Sequence, residues 1–174
     1  TQGMKPAGTP QELFSFAMPA STDSWFAIDD GVMGGLSRSD MQHQPAGHAV
    51  FSGVVSLERN GGFASVRAPL PHQAALPDAV AYLIEARGDG HRYRLNLRMA
   101  ESFDGINYQA EFAPPVGNWS VIRLPVTAFV PSWRGKPVPD APPLDPARVK
   151  QVGLMIANRQ AGPFALSIRR ISAA

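Results

Sequence analysis

The sequence predicts an all-β fold, a sandwich or jelly roll of about ten short antiparallel strands. Three observations carry this expectation. Short runs of alternating apolar and polar residues recur along the chain, each bounded by Gly, Pro, Asn or Asp. No segment shows the 3.6-residue periodicity of a long amphipathic helix. The clearest strand is Arg92-Tyr93-Arg94-Leu95-Asn96-Leu97-Arg98-Met99, where Tyr93, Leu95, Leu97 and Met99 share one face and Arg92, Arg94, Asn96 and Arg98 the other.

Taken in order, residues 1–11 are expected as a flexible N-terminal segment and 12–174 as a single domain. A first strand is expected near 13–18. Further strands are expected at about 48–58, 62–68, 79–88, 92–99, 107–113, 119–125, 149–157 and 164–171. Asn60-Gly61 supplies the two left-handed positions of a type I′ turn. Counting back from it pairs Val55 with Val66, Leu57 with Ala64, Ser56 with Ser65, Glu58 with Phe63 and Val54 with Arg67, so a hairpin is expected. Residues 131–146 contain six prolines. These forbid a central strand or helix interior, and a surface excursion anchored by Trp133 and Leu144 is expected.

Composition narrows the function classes. With 174 residues, 44% hydrophobic and 17% charged, the chain has enough apolar material for a real core and is not a disordered polymer. No apolar run reaches the roughly 20 residues of a spanning helix, so no membrane insertion is expected. Sixteen Lys and Arg against fourteen Asp and Glu leave a net charge of +2. The basic residues are scattered, so no nucleic-acid partner is expected. Zero cysteines remove disulfides, thiol catalysis and thiolate metal sites. A Thr1 start is expected of a processed or truncated chain, and residues 1–12 show no signal-like apolar region. Asn118-Trp119-Ser120 fits the glycosylation tripeptide, a triplet common by chance.

Two glycine-bearing motifs stand out, Trp25-Phe26-Ala27-Ile28-Asp29-Asp30-Gly31-Val32-Met33-Gly34-Gly35-Leu36-Ser37 and Asn60-Gly61-Gly62-Phe63-Ala64-Ser65-Val66-Arg67. The first has two readings. Its carboxylates beside a glycine backbone suit oxygen-liganded cations or sugar hydroxyls. Alternatively the glycines make a tight connection and the aspartates bond local N–H groups. Arg67 is the expected partner of Asp29 or Asp30, because a guanidinium holds a carboxylate in a bidentate fork. Arg92, Arg94 and Arg98 are expected to neighbour Glu85, Gln109 and Glu111 across strands. Trp25, Trp119 and Trp133 either pack internally or offer stacking surfaces. His43, His48, His72 and His91 lack metal-ligand spacing, and neither a nucleophile elbow nor a phosphate loop is present. No catalytic residue, no metal and no cofactor are therefore expected, and the chain is read as a non-enzyme.

The two motifs occur in order with Phe51-Ser52-Gly53, Gly88-Asp89-Gly90, Phe129-Val130-Pro131-Ser132-Trp133-Arg134-Gly135, Pro143-Leu144-Asp145-Pro146, Gln151-Val152-Gly153-Leu154-Met155 and Gly162-Pro163-Phe164-Ala165-Leu166-Ser167-Ile168. In this combination the chain resembles the complex I intermediate-associated protein 30 family over residues 12–171. The resemblance implies a galactose-binding-like jelly roll and a non-catalytic assembly or chaperone-like role. The implied partner is a protein client, such as subunits of a respiratory membrane complex. The expected alternative is a carbohydrate or small-ligand module. The chain looks like the bare domain of small bacterial members, which suggests a bacterial cytoplasm and leaves export or an organelle open. The expected binding residues are Trp25, Asp29, Asp30, Gly31, Met33, Gly34, Gly35, Ser37, Asn60, Phe63, Ser65, Arg67 and Trp133.

Overall fold

Thirteen strands, all paired antiparallel, form two stacked sheets among the described residues. The computed structural model describes residues 11–28, 36–58, 62–70, 76–99, 105–133, 136–157 and 160–174. The strands are β1 (Gln11–Ser15), β2 (Phe26–Ala27), β3 (Arg38–Gln44), β4 (His48–Val55), β5 (Ala64–Pro69), β6 (Ala81–Arg87) and β7 (Tyr93–Arg98). They continue with β8 (Asn107–Phe112), β9 (Trp119–Pro125), β10 (Val130–Trp133), β11 (Lys136–Pro137), β12 (Gln151–Ile156) and β13 (Gly162–Ala173). One sheet runs β3-β4-β13-β6-β9 with β1 also paired to β13, and the other runs β11-β10-β8-β7-β12-β5-β2. This is the jelly-roll sandwich that the strand pattern predicts.

The alternation decides what is buried. Tyr93, Leu95 and Leu97 of β7 and Val152, Leu154 and Ile156 of β12 are sealed inside, facing Phe51, Ile84, Leu166, Ile168 and Ile171 from the other sheet. Each such side chain contributes about 1.5–3 kcal/mol on leaving water, so this shared layer supplies the main driving force. The long strand β13 spans one sheet, pairing β4 with its first half and β6 with its second. A register shift between Ile168 and Arg170 lets it bend between those partners.

The hairpin expectation fails. Asn60 and Gly61 lie outside the described residues, but their flanks part company, because β4 pairs with β3 and β13 in one sheet and β5 with β12 and β2 in the other. Val54 lies opposite Arg38 and Pro163, and Arg67 opposite Phe26 and Gly153. Val55 and Val66 do both point into the core, though from opposite sheets. A period of two fixes which side faces inward and is silent about which strand lies alongside.

The strand β3 escaped the pattern reading because Met41 is its single buried residue. It is an edge strand, where one apolar contact suffices. Its neighbour approaches closely at Gly53, where a Cβ would lie 1.9 Å from the Arg38 carbonyl oxygen. The proline-rich segment supplies β10 and β11 at the rim of the seven-stranded sheet, the place where proline is tolerated. Leu144 is buried as expected, whereas Trp133 is 41% exposed and is not one of the buried core residues.

Candidate functional site

The outer face of the seven-stranded sheet is polar and partly sunken. Register places Phe26, Arg67, Gly153, Asn96, Gln109 and Val130 in one row across β2, β5, β12, β7, β8 and β10. The next row carries Ser65, Met155, Arg94 and Glu111. On the other side Gln151 lies between Pro69 and Arg98. Strand alternation makes this face, because the residues between these positions are the ones that fill the core.

Gly153 opens a depression in the middle of the first row. With no side chain there, Ser65, Arg67, Asn96, Arg98, Gln151 and Met155 surround a shallow hollow, with room for about one water molecule, that opens to solvent. A guanidinium N–H of Arg67 donates to Gln151 Oε1 at 3.3 Å. Arg67 is only 7% exposed. Burial and then the nearby positive charge of Arg98 push its guanidinium down to about 10, so it stays charged at neutral pH. Arg98 donates to the Gly105 carbonyl at 2.7 Å. Arg94 and the Ser132 hydroxyl both donate to Gln109 Oε1, at 3.2 and 3.4 Å. Asn96 is buried with its Oδ1 lacking any hydrogen-bond partner among the described residues.

The structure distributes the sequence-derived candidates unevenly. Ser65 and Arg67 line the hollow. Ser65 also fixes the end of β2, since its hydroxyl donates to the Ile28 carbonyl and its own carbonyl accepts from Ile28 N–H at 2.8 Å. Ser37 is buried, and its hydroxyl oxygen accepts from Ser56 N–H at 2.8 Å. The two ends of the glycine loop are thus held to opposite sheets. Asp29, Asp30, Gly31, Met33, Gly34, Gly35 and Asn60 lie outside the described residues, and with them the expected pairing of Arg67 to an aspartate. Phe63 is half-buried.

Trp25 packs inward, edge-on to Phe14 at 5.0 Å and tilted against Phe16 at 5.7 Å, so it has no ligand-facing surface of consequence. Trp133 alternates with Ser132 on β10 and therefore projects away from the polar face. Trp119 stands on the other sheet beneath two guanidinium groups, Arg169 at 4.0 Å and Arg87 at 5.0 Å. Glu85 belongs to that other sheet too, pairing Arg170 at 3.1 Å and Arg169 at 3.6 Å. The expected cluster of Glu85 with Arg92, Arg94 and Arg98 is corrected accordingly. Asn96, Gln151, Gly153 and Met155 were not anticipated as site residues. The polar half of the alternation around Asn96 was the available signal, but only the neighbouring strands show that these residues converge.

Among the described residues no three His, Asp or Glu side chains come together as metal ligands, and those lining the hollow include neither a carboxylate nor an imidazole. What this arrangement offers chemically is hydrogen bonding by guanidinium, carboxamide and hydroxyl groups beside the soft surface of Met155.

The two stacked antiparallel sheets form a jelly-roll β-sandwich of galactose-binding-like fold. The family-11 carbohydrate-binding module of Clostridium thermocellum, solved with a β-1,3-1,4-mixed-linked tetrasaccharide, superposes with a TM-score of 0.70 over 94% of each chain at 16% identity. The same module from the cellulase Lic26A-Cel5E gives 0.70 over 97% of each chain, also at 16% identity. At that identity the likeness is one of fold. The family model for complex I intermediate-associated protein 30 matches residues 14–168, and the chain belongs to that family.

Among relatives, an uncharacterized protein of Schizosaccharomyces pombe is 27% identical over 171 residues, covering 84% of this chain and 76% of the relative. The mitochondrial complex I intermediate-associated protein 30 of Drosophila melanogaster is 26% identical over 185 residues, covering 92% of this chain. The chain spans 62% of the length of that fly protein. Fungal and insect relatives lend no support to the expected bacterial affiliation. Among the described residues no helix is long and apolar enough to cross a membrane.

Proposed function

We propose that this chain is a non-catalytic binding domain that acts as an assembly factor for a complex I-type membrane assembly, holding a protein client on the polar face of its seven-stranded sheet. The observation that carries the reading is the family match across nearly the whole sandwich, joined by a fly relative named for association with complex I intermediates. The docking surface is assigned to Ser65, Arg67 and the exposed Phe26 opposite Arg67, together with residues Asp29–Gly35 of the same sequence motif. Loops and edges on a rigid β-scaffold are where such recognition resides.

The test is an affinity isolation from detergent-solubilised membranes and from soluble lysate, comparing wild type with Asp30→Ala/Arg67→Ala. Respiratory-complex subunits should be recovered with the wild type and depleted with the variant. Background proteins alone in both isolations would refute the reading.

A second reading, an oligosaccharide-binding module, is favoured by the fold shared with the tetrasaccharide-bound module and by the hydrogen-bonding character of the hollow. Saturable binding of a soluble glycan, lost in Arg67→Ala, would support it.

A further inference from the structure

The outer face of the six-stranded sheet gathers positive charge around one indole ring. Register sets Val50, Ser167, Arg87 and Trp119 side by side across β4, β13, β6 and β9. His48 precedes Val50 by two residues on β4 and shares its side of the sheet. The irregularity after Ile168 turns both Arg169 and Arg170 outward on β13. The Trp119 ring reaches over this group. The Arg169 guanidinium carbon lies 4.0 Å from its centroid and that of Arg87 5.0 Å, while the His48 ring meets it edge-on at 5.2 Å. Two guanidinium groups that touch one ring are near neighbours. Burial first, and then the charges of Arg87, Arg169 and His43, lower the His48 imidazole, so both arginines also stand close to that ring.

The fold supplies few acceptors for these donors. Glu85 is shared, with Oε1 lying 3.1 Å from Arg170 and Oε2 3.6 Å from Arg169. Asp40, out on the edge strand β3, is engaged by Gln42 at 2.7 Å. Arg87 donates to the Ser167 hydroxyl at 3.5 Å and has no carboxylate partner among the described residues. Arg87, Arg169 and Arg170 thus share one acid, and like charges held this close repel. Stacking on Trp119 engages the flat faces of the guanidinium groups. Their in-plane N–H groups, which make the directional hydrogen bonds, are left for another acceptor. The Arg169 side chain is 43% exposed, so an acceptor can reach it from solvent.

We propose that Arg87 and Arg169 form a binding site for a phosphate group, each guanidinium presenting a fork of N–H donors to the phosphate oxygens while Trp119 holds both in place. A carboxylate brings one charge and two oxygens, which a single guanidinium satisfies. A phosphate brings up to two charges and three oxygens, the complement of two forks within a cluster that one acid leaves positive. The site lies on the sheet opposite Ser65 and Arg67, so it is independent of the client-docking reading. A soluble phosphoester and a lipid headgroup carry the same chemistry, and the test separates them.

The full chain, labelled with ¹⁵N, is titrated with inorganic phosphate and, at matched ionic strength, with acetate. Phosphate should produce saturable shifts in the Arg87 and Ser167 backbone signals and the Trp119 indole N–H, with a Kd of about 1 mM. Gly153, on the other sheet, should not respond. Arg87→Gln and Arg169→Gln should each weaken binding about tenfold, with thermal unfolding showing that each variant folds. Arg87→Lys, which keeps the charge and loses the fork, should weaken it too. Arg148→Gln, the same loss of charge at an exposed position before β12, should leave binding unchanged. Co-sedimentation with vesicles of equimolar phosphatidylcholine and phosphatidic acid, against phosphatidylcholine alone, assigns the source. Retention of wild type but not Arg87→Gln marks a headgroup, and wild type left in the supernatant marks a soluble phosphoester.

Shifts that fail to saturate, or equal shifts with acetate, would show diffuse attraction by net charge and overturn the proposal. An effect of Arg148→Gln as large as that of Arg87→Gln would do the same.

Discussion

Replacing Asp89 should cost this domain a large part of its stability, because one carboxylate ties the two sheets together. Asp89 follows β6, and its Oδ1 accepts from the Tyr93 hydroxyl at 2.9 Å and from His91 N–H at 3.1 Å. Its Oδ2 accepts from Ala165 N–H on β13 at 2.7 Å and lies 3.0 Å from His91 Nδ1. Tyr93 belongs to the seven-stranded sheet and Ala165 to the six-stranded one. In Asp89→Ala three donors lose their acceptor, and the fully buried Tyr93 has the least access to water. A hydrogen bond to a charged group is worth about 1.5–3 kcal/mol and an orphaned buried donor costs about 1–3 kcal/mol. The carboxylate side chain is 21% exposed, so solvent replaces part of the loss, and roughly 3–5 kcal/mol is expected. Against the 5–15 kcal/mol typical of a domain this is severe.

The same contacts set a pH dependence. Burial alone would raise the Asp89 carboxyl, but the hydrogen bonds from Ala165, His91 and Tyr93 outweigh it and hold the group below its ordinary value. The unfolded chain, titrating near about 3.9, therefore takes up the proton first as pH falls. The stabilisation is complete well above that value and is lost as pH drops through the lower folded value. Urea unfolding of wild type and Asp89→Asn should show a gap that is constant from pH 8 to about pH 5 and narrows in acid. A cost below about 1 kcal/mol for Asp89→Ala at pH 7, or a gap indifferent to acid, would refute the reasoning.

Other substitutions probe separate parts of the fold. Gly53→Ala should destabilise by about 3 kcal/mol in chemical unfolding, because the new Cβ meets the backbone oxygen of Arg38 at 1.9 Å and β3 must move off β4. A wild-type-like midpoint would mean that the strands do not approach as described. Ser65→Ala removes the donor to the Ile28 carbonyl. It should cost about 1 kcal/mol and speed amide exchange at Ile28 relative to core amides. In His48, burial first and then the charges of Arg87, Arg169 and His43 lower the imidazole value, so the folded state keeps it neutral while the unfolded chain protonates below about 6.5. Stability drawn from this difference is present above that pH and falls below it, and His48→Phe should flatten that decline in thermal scans between pH 7 and 5.

The inward and outward faces of the strands were legible from the sequence because burial follows a period of two. Tyr93, Leu95 and Leu97 turned inward as their alternation requires, and Leu144 found the core despite its proline-rich setting. The edge strand β3 was hidden, since a strand with one buried residue leaves almost no periodic trace. A smaller part of the site was legible, and from motif rather than periodicity. Ser65 and Arg67 were anticipated from their motif, while Asn96, Gln151 and Gly153 were visible only as members of polar faces or of a familiar string.

The all-β class, the inward-facing residues that fill the core, the family and the lack of cysteine chemistry could all be read from residue order alone. These follow from local periodicity, composition and motif order, which need no knowledge of distant neighbours. Strand partnership was decided only by tertiary structure. The segments flanking Asn60-Gly61 enter opposite sheets because closing a two-layer core satisfies both strands better than a local hairpin, and Glu85 pairs with Arg169 and Arg170 for the same reason. The hollow at Gly153 is likewise a tertiary product, since a missing side chain becomes a site only when Arg67 and Asn96 are brought to either side of it.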